Sequence, residues 1–122
     1  MASSAKASLL PQFPSLRGRV RSCVPLRDLT WFRVGGPAEI MFRPADTDDL
    51  VQFLRYLPKD TPVTMLGVGS NLLVRDGGVT GVVVRLGGVF AQTGNAGETI
   101  TTGAGALDAN VALAAAQAGI TG

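Results

Sequence analysis

The residues best suited to chemistry in this 122-residue chain are Gly67, Val68, Gly69, Ser70, Asn71 and Leu72, within Leu66-Gly67-Val68-Gly69-Ser70-Asn71-Leu72-Leu73. Gly67 and Gly69 have no Cβ, so the backbone there approaches a ligand closely and tolerates φ > 0. Successive backbone N–H groups in such a turn make a concave donor set for an anion, typically a phosphate. Ser70 and Asn71 add side-chain donors at the same place. This is binding chemistry, and a tight turn that holds nothing is the competing reading of the octapeptide taken alone. The stretch is not the dinucleotide fingerprint Gly-x-Gly-x-x-Gly, because no third glycine follows. It also lacks the Gly-Lys-Ser/Thr of a P-loop. A second small-residue run, Gly103-Ala104-Gly105, has a plain strand-to-helix turn as its alternative.

Other chemistries are excluded by what the chain lacks. It has no histidine and a single cysteine, Cys23. Ser-His-Asp and Cys-His catalysis within the chain is ruled out, as are metal sites of the usual Cys/His kind. No catalytic residue and no metal ligand is therefore assigned. Cys23 stands near Arg21, which could lower its pKa, against the plainer reading of an idle thiol. One thiol forms no internal disulfide, which is compatible with a reducing, cytoplasmic location. No apolar stretch approaches the roughly 20 residues of a membrane span. Lys6 is not followed by the apolar core of a secretory signal.

The elements that would position the loops follow from periodicity. Pro37 to Arg43 alternates as a strand, with Ala38, Ile40 and Phe42 on one face and Glu39, Met41 and Arg43 on the other. Asp46 is a good N-cap, with acids in the first turn after it. Leu50, Phe53, Leu54 and Leu57 then fall at i, i+3, i+4 and i+7, one apolar helix face, and Pro58 stops the helix. A strand over Pro62 to Leu66 runs straight into the glycine loop, as ligand loops do beyond the carboxyl ends of parallel strands. Leu72–Arg75 reads as a strand leaving the loop, Asp76-Gly77-Gly78 as a turn, and Thr80–Leu86 as a β-branched strand. Val89–Thr93 and Glu98–Thr102 read as paired strands around Gly94-Asn95-Ala96-Gly97. A helix over Leu107 to Ala118 is apolar nearly all round, so it needs burial on most faces. Since the sequence stops at Gly122, that helix reads as part of something longer.

The net charge of +2 hides an asymmetry. Residues 1–27 hold Lys6, Arg17, Arg19, Arg21 and Arg27 and no acid. Without an amphipathic period or interleaved aromatics, this is read as a solvated, flexible lead-in over residues 1–24, not a transit peptide or nucleic-acid arm. Arg75 and Arg85 read as solvated strand ends, Arg75 beside Asp76.

Leu29-Thr30-Trp31-Phe32-Arg33-Val34-Gly35-Gly36, the loop above with Val74-Arg75-Asp76-Gly77-Gly78, and Thr102-Gly103-Ala104-Gly105-Ala106-Leu107 occur in that order. Together they resemble the FAD-binding N-terminal part of the UDP-N-acetylenolpyruvoylglucosamine reductase (MurB) family, over roughly residues 16–122. The resemblance implies an α+β, two-lobed FAD-binding domain of the vanillyl-alcohol oxidase (PCMH) type, the first lobe complete over residues 25–86 and the second partial over 87–122. It implies that Gly67, Val68, Gly69, Ser70, Asn71 and Leu72 cradle the FAD pyrophosphate or its flavin-side neighbour, and that Gly103, Ala104 and Gly105 add a contact from the second lobe. Arg33 would face an acidic group of the cofactor or merely solvent. The family uses NADPH to reduce UDP-N-acetylglucosamine enolpyruvate in cell-wall synthesis. Its catalytic serine, arginine and glutamate lie downstream of every motif matched here. Membrane and nucleic-acid partners are not implied, and the oligomeric state is left open. Another flavin oxidoreductase of this fold, or a β-rich module whose glycines serve turns only, remains an alternative.

Overall fold

The computed structural model describes residues 16–121. Its main sheet has four strands: β1 (Arg19–Pro25), β2 (Pro37–Arg43), β3 (Val63–Leu66) and β4 (Val79–Arg85), in the order β1-β2-β4-β3. β2, β4 and β3 are mutually parallel, and β1 runs antiparallel along β2. Helix α1 (Thr47–Tyr56) connects β2 to β3. Beyond the sheet come a 3-10 turn at Gly88–Ala91, a hairpin of β5 (Thr93–Ala96) and β6 (Thr99–Thr102), and helix α2 (Asp108–Gln117).

Each face of the sheet carries its own core. Ile40, Phe42, Val82, Val84 and Leu86 bury one face against Phe53 of α1, with Leu50 and Leu57 packed at the margin. The Phe42 and Phe53 rings stack with centroids 4.2 Å apart. The predicted apolar helix stripe is therefore real, except that Leu54 is largely exposed at its edge. Among the described residues the opposite face has no α-helix, only the 3-10 turn Leu26–Asp28. Val24, Leu26, Ala38, Met41, Leu66, Val74 and Val83 pack there under the segments between β1 and β2 and between β3 and β4.

All of strand β1 except its last residue, Pro25, lies in the stretch read from sequence as a flexible lead-in, residues 1–24. Of Arg19–Pro25 only Val20 and Val24 are aliphatic, too sparse a period to announce a strand. Pairing with β2 supplies what local pattern does not: Val20 lies opposite Phe42 and Val24 opposite Ala38. Asp49, nine-tenths and more buried near the start of α1, holds the approach to β1. Its carboxylate accepts from the backbone N–H of Arg17 at 3.0 Å, Gly18 at 2.7 Å and Ala45 at 2.9 Å. Residues 1–15 lie outside the described residues.

A kink line crosses the sheet and alters one predicted face. Between Ala38 and Ile40 the register on β4 advances from Val79 to Val82, which places one extra residue in β4. Gly81 there has φ +80, and its N–H donates to Glu39 Oε2 at 3.0 Å. Cys23, opposite the kink on β1, has φ +54. Ala38 consequently packs in the second core while Ile40 and Phe42 pack in the first, although simple alternation puts all three on one face.

Three further expectations are corrected. Leu72–Arg75 forms no strand; it runs extended across the second face with Val74 buried, and the Arg75 carbonyl accepts from Gly36 and Gly78 N–H instead of from a ladder. The paired strands after β4 are shorter than predicted: Val89–Ala91 belongs to the 3-10 turn, and the hairpin turn is Gly97-Glu98, with Gly97 at φ +59, rather than Gly94 to Gly97. Helix α2 begins with Leu107 as its cap, close to prediction, but it has no buried residue among those described and Leu113 is 57% exposed. Its apolar residues surround the axis instead of forming one stripe, so no single face binds it to this sheet.

Candidate functional site

Three segments distant in sequence meet at the end of β3. The sheet delivers the chain into Gly67 there, because Leu66 is buried in the second core and its carbonyl accepts from Leu86 N–H at 2.8 Å. A Cβ added to Gly67 would lie 2.7 Å from the Ala104 carbonyl oxygen and 3.9 Å from Gly105 Cα. A Cβ on Gly69, whose φ is +79, would lie 2.5 Å from the Leu29 carbonyl oxygen. The Gly69 carbonyl in turn accepts from Trp31 N–H at 3.1 Å. The structure thus brings Gly67, Gly69, Ala104 and Gly105 together, with the segment Leu29–Trp31 as a wall the sequence reading did not assign to them.

The two glycines answer to the chain's own backbone. At Gly69 positive φ and the Leu29 carbonyl each exclude a side chain; at Gly67 the Ala104 carbonyl does so. Periodicity carries no signal for such contacts, since they join residues 37 or more positions apart. Only the co-occurrence of the three blocks pointed to them.

What the loop leaves free is its donors. Among the described residues, the backbone N–H groups of Val68, Gly69, Ser70, Asn71 and Leu73 donate no hydrogen bond within the chain. Leu72 N–H turns back toward the Gly69 carbonyl across the Ser70–Asn71 turn. Orphan backbone donors are rare where they are shielded from water, and a row of them in one turn is an anion-binding arrangement. Gly69 is buried and Val68, Ser70 and Leu72 are partly so, while Asn71 is exposed. The second loop differs. Gly103 N–H donates to Gln92 and Gly105 N–H to Phe90, both at 2.9 Å, so these two amides hold the loop to the 3-10 turn. Ala104 N–H has no such partner among the described residues.

The flanking block is shaped by two local devices. Thr30, buried, donates its hydroxyl to the Val34 carbonyl at 3.1 Å, and Arg33 takes φ +60, closing a turn that leaves Trp31 and Phe32 exposed beside the loop. Arg33 itself is exposed. Arg75 is exposed and forms no ion pair with Asp76. Arg85, read as a solvated strand end, is half buried; burial and then the nearby Arg43 charge push its pKa down.

Residues 38–122 match the family described as FAD binding domain. The chain belongs to the FAD binding domain family. Its similar curated proteins are named UDP-N-acetylenolpyruvoylglucosamine reductase. The one from Paramagnetospirillum magneticum is 58% identical over 109 residues, covering 89% of this chain and 36% of the relative. That from Parvibaculum lavamentivorans is 52% identical across 100% of this chain and 39% of its own length. The solved MurB structure from Thermus caldophilus superposes with a TM-score of 0.61 at 34% identity, over 88% of this chain and 36% of that one. The resemblance read from the three motif blocks is borne out, and the chain spans well under half the length of these relatives.

Proposed function

We propose that this chain is the FAD-binding part of a UDP-N-acetylenolpyruvoylglucosamine reductase, with the cofactor's pyrophosphate held by the Val68–Leu73 amides. The observation that supports this most is the run of unpartnered N–H groups in a turn pinned on two sides by its own backbone. The fit is chemical: a doubly charged diphosphate needs several convergent donors, and backbone amides supply them without desolvating a cation. Ser70 and Asn71 side chains extend the donor set, and Ala104 N–H adds one from the second loop. Gly103 and Gly105 serve by shaping that loop, because their own amides are taken.

Bound FAD would supply hydride transfer from NADPH to the enolpyruvyl group of the UDP-sugar, in cell-wall precursor synthesis in the cytoplasm. The residues here bind and orient; the proton-transfer groups belong to motifs beyond those present. The two-lobed PCMH-type arrangement, with residues 25–86 in the first lobe and 87–122 opening the second, fits the change from a four-stranded sheet to a separate hairpin and helix.

Flavin titration of the full protein tests the reading. Ser70→Ala should weaken FAD binding about tenfold, the effect of one lost hydrogen bond to a charged group. Unchanged affinity in Ser70→Ala, together with unchanged affinity in Asn71→Pro, which deletes a loop N–H, would refute the cradle.

A further inference from the structure

A row of arginines crosses the sheet next to the glycine loop and is not used by it. The register sets Arg19 of β1 opposite Arg43 of β2, and Phe42 opposite Val84, so Arg43 and Arg85 are the next neighbours along the β2–β4 pair. Residues directly opposite in a sheet point to the same face. Arg19, Arg43 and Arg85 therefore line up on the face that carries Met41 and Val83, away from α1. Arg21, opposite Met41, stands behind Arg19 on that face. With strands about 4.8 Å apart, the three-residue row spans about 10 Å.

Arg43 and Arg85 converge within the row, and the charges of the row are uncompensated. A Cβ on Gly87 would lie 3.1 Å from a terminal nitrogen of Arg43, so the Arg43 guanidinium leans over β4 toward Arg85, past a residue with no side chain. Two free arginines would lower their repulsion by splaying into solvent, since like charges set opposite each other are destabilising. Among the described residues none of Arg19, Arg21, Arg43 and Arg85 has an ion pair or hydrogen bond from its side chain. Among the described residues, Arg17 does find a carboxylate, its guanidinium pairing with Asp46 at 2.5 Å beside α1. The row also lies at the carboxyl ends of the parallel strands β2 and β4, where sheets of this kind bind ligands.

From this geometry we infer that Arg19, Arg43 and Arg85 form a second oxyanion site, sized for a diphosphate and distinct from the glycine-loop cradle. Guanidinium groups bind phosphate oxygens through paired, charge-assisted hydrogen bonds, and a row about 10 Å long matches two linked phosphates better than one carboxylate. The site starts at Arg85, opposite Leu66, and runs away from the loop toward β1.

Calorimetric titration of the full protein with inorganic pyrophosphate at low ionic strength tests this independently of FAD binding. With FAD saturating, so that the glycine-loop cradle is filled, the expected result is saturable one-to-one binding. Arg43→Gln and Arg85→Gln should each weaken it about tenfold. Arg55→Gln, which removes the same charge from α1, should leave it unchanged. Arg19→Gln, on an exposed edge residue, is the variant safest for folding and should also weaken binding. No saturable binding, equal loss in Arg55→Gln, displacement by FAD, or unchanged affinity in Arg19→Gln would overturn the inference.

Discussion

Asp49 is the residue on which the first half of the fold turns. Burial raises the energy of its carboxylate, but N–H groups of Ala45, Arg17 and Gly18 outweigh that, and its pKa lies below the ordinary value. A depressed folded pKa means the unfolded chain binds the proton more readily, so this stabilisation is present above about pH 4 and is lost as pH falls through the folded pKa. Asp46 works in the same direction, held low first by the Arg17 hydrogen bond and then by Asp49 N–H. Asp49→Asn should destabilise the protein by about 1–3 kcal/mol at neutral pH, since an amide satisfies fewer of the three donors. It should also flatten the acid limb of a melting-temperature profile, and an unchanged acid limb would show that the carboxylate is not the titrating group. Gly69 supplies the second prediction at this scale. Gly69→Ala forces positive φ on a side chain and drives its Cβ against the Leu29 carbonyl. It should lower ligand-free stability by at least about 1–3 kcal/mol. A variant that melts like the parent without ligand, yet binds flavin poorly, would return the glycine's role to ligand approach alone.

Among the elements, α1 and α2 differ sharply in what they bury. Phe53 of α1 is 2% exposed and stacks on Phe42, so Phe53→Ala should cost about 3–5 kcal/mol in urea unfolding. Leu113 of α2 lies mostly in solvent, and Leu113→Lys should change the stability of this chain by less than about 0.5 kcal/mol. A large loss in the second variant would mean that α2 packs against something outside residues 16–121. The contrast follows from pattern: α1 concentrates its apolar residues on one stripe, whereas α2 spreads alanine around the whole axis.

The molecule as a whole gathers its candidate site from residues 29–105 and closes its sheet with residues 19–25. Deleting residues 1–14 should therefore leave flavin affinity and melting temperature near their parent values. Extending the deletion to Pro25 removes β1, strips the Arg17 and Gly18 donors from Asp49 and opens the edge of β2. That longer deletion should melt lower and aggregate, as an exposed, apolar strand edge does. Melting and light scattering on the two truncations distinguish these outcomes.

Local pattern alone determined β2, α1, β3 and β4 nearly to the residue, because each repeats apolar side chains at the period of its own backbone. It also determined that Gly67–Leu72 follows a strand, since an apolar run ending in small residues has few other readings. Tertiary structure decided the rest. β1 exists through pairing with β2 and through Asp49, neither of which leaves a periodic trace in Arg19–Pro25. Leu72–Arg75 has the composition of a strand, yet it pairs with neither edge of the sheet and lies across the sheet face instead. The need for glycine at 67 and 69 is visible in sequence, but its cause is not: two carbonyls, from Ala104 and Leu29, occupy the space a side chain would need. The arginine row is likewise a product of register, because residues 19, 43 and 85 become neighbours only when three strands align them.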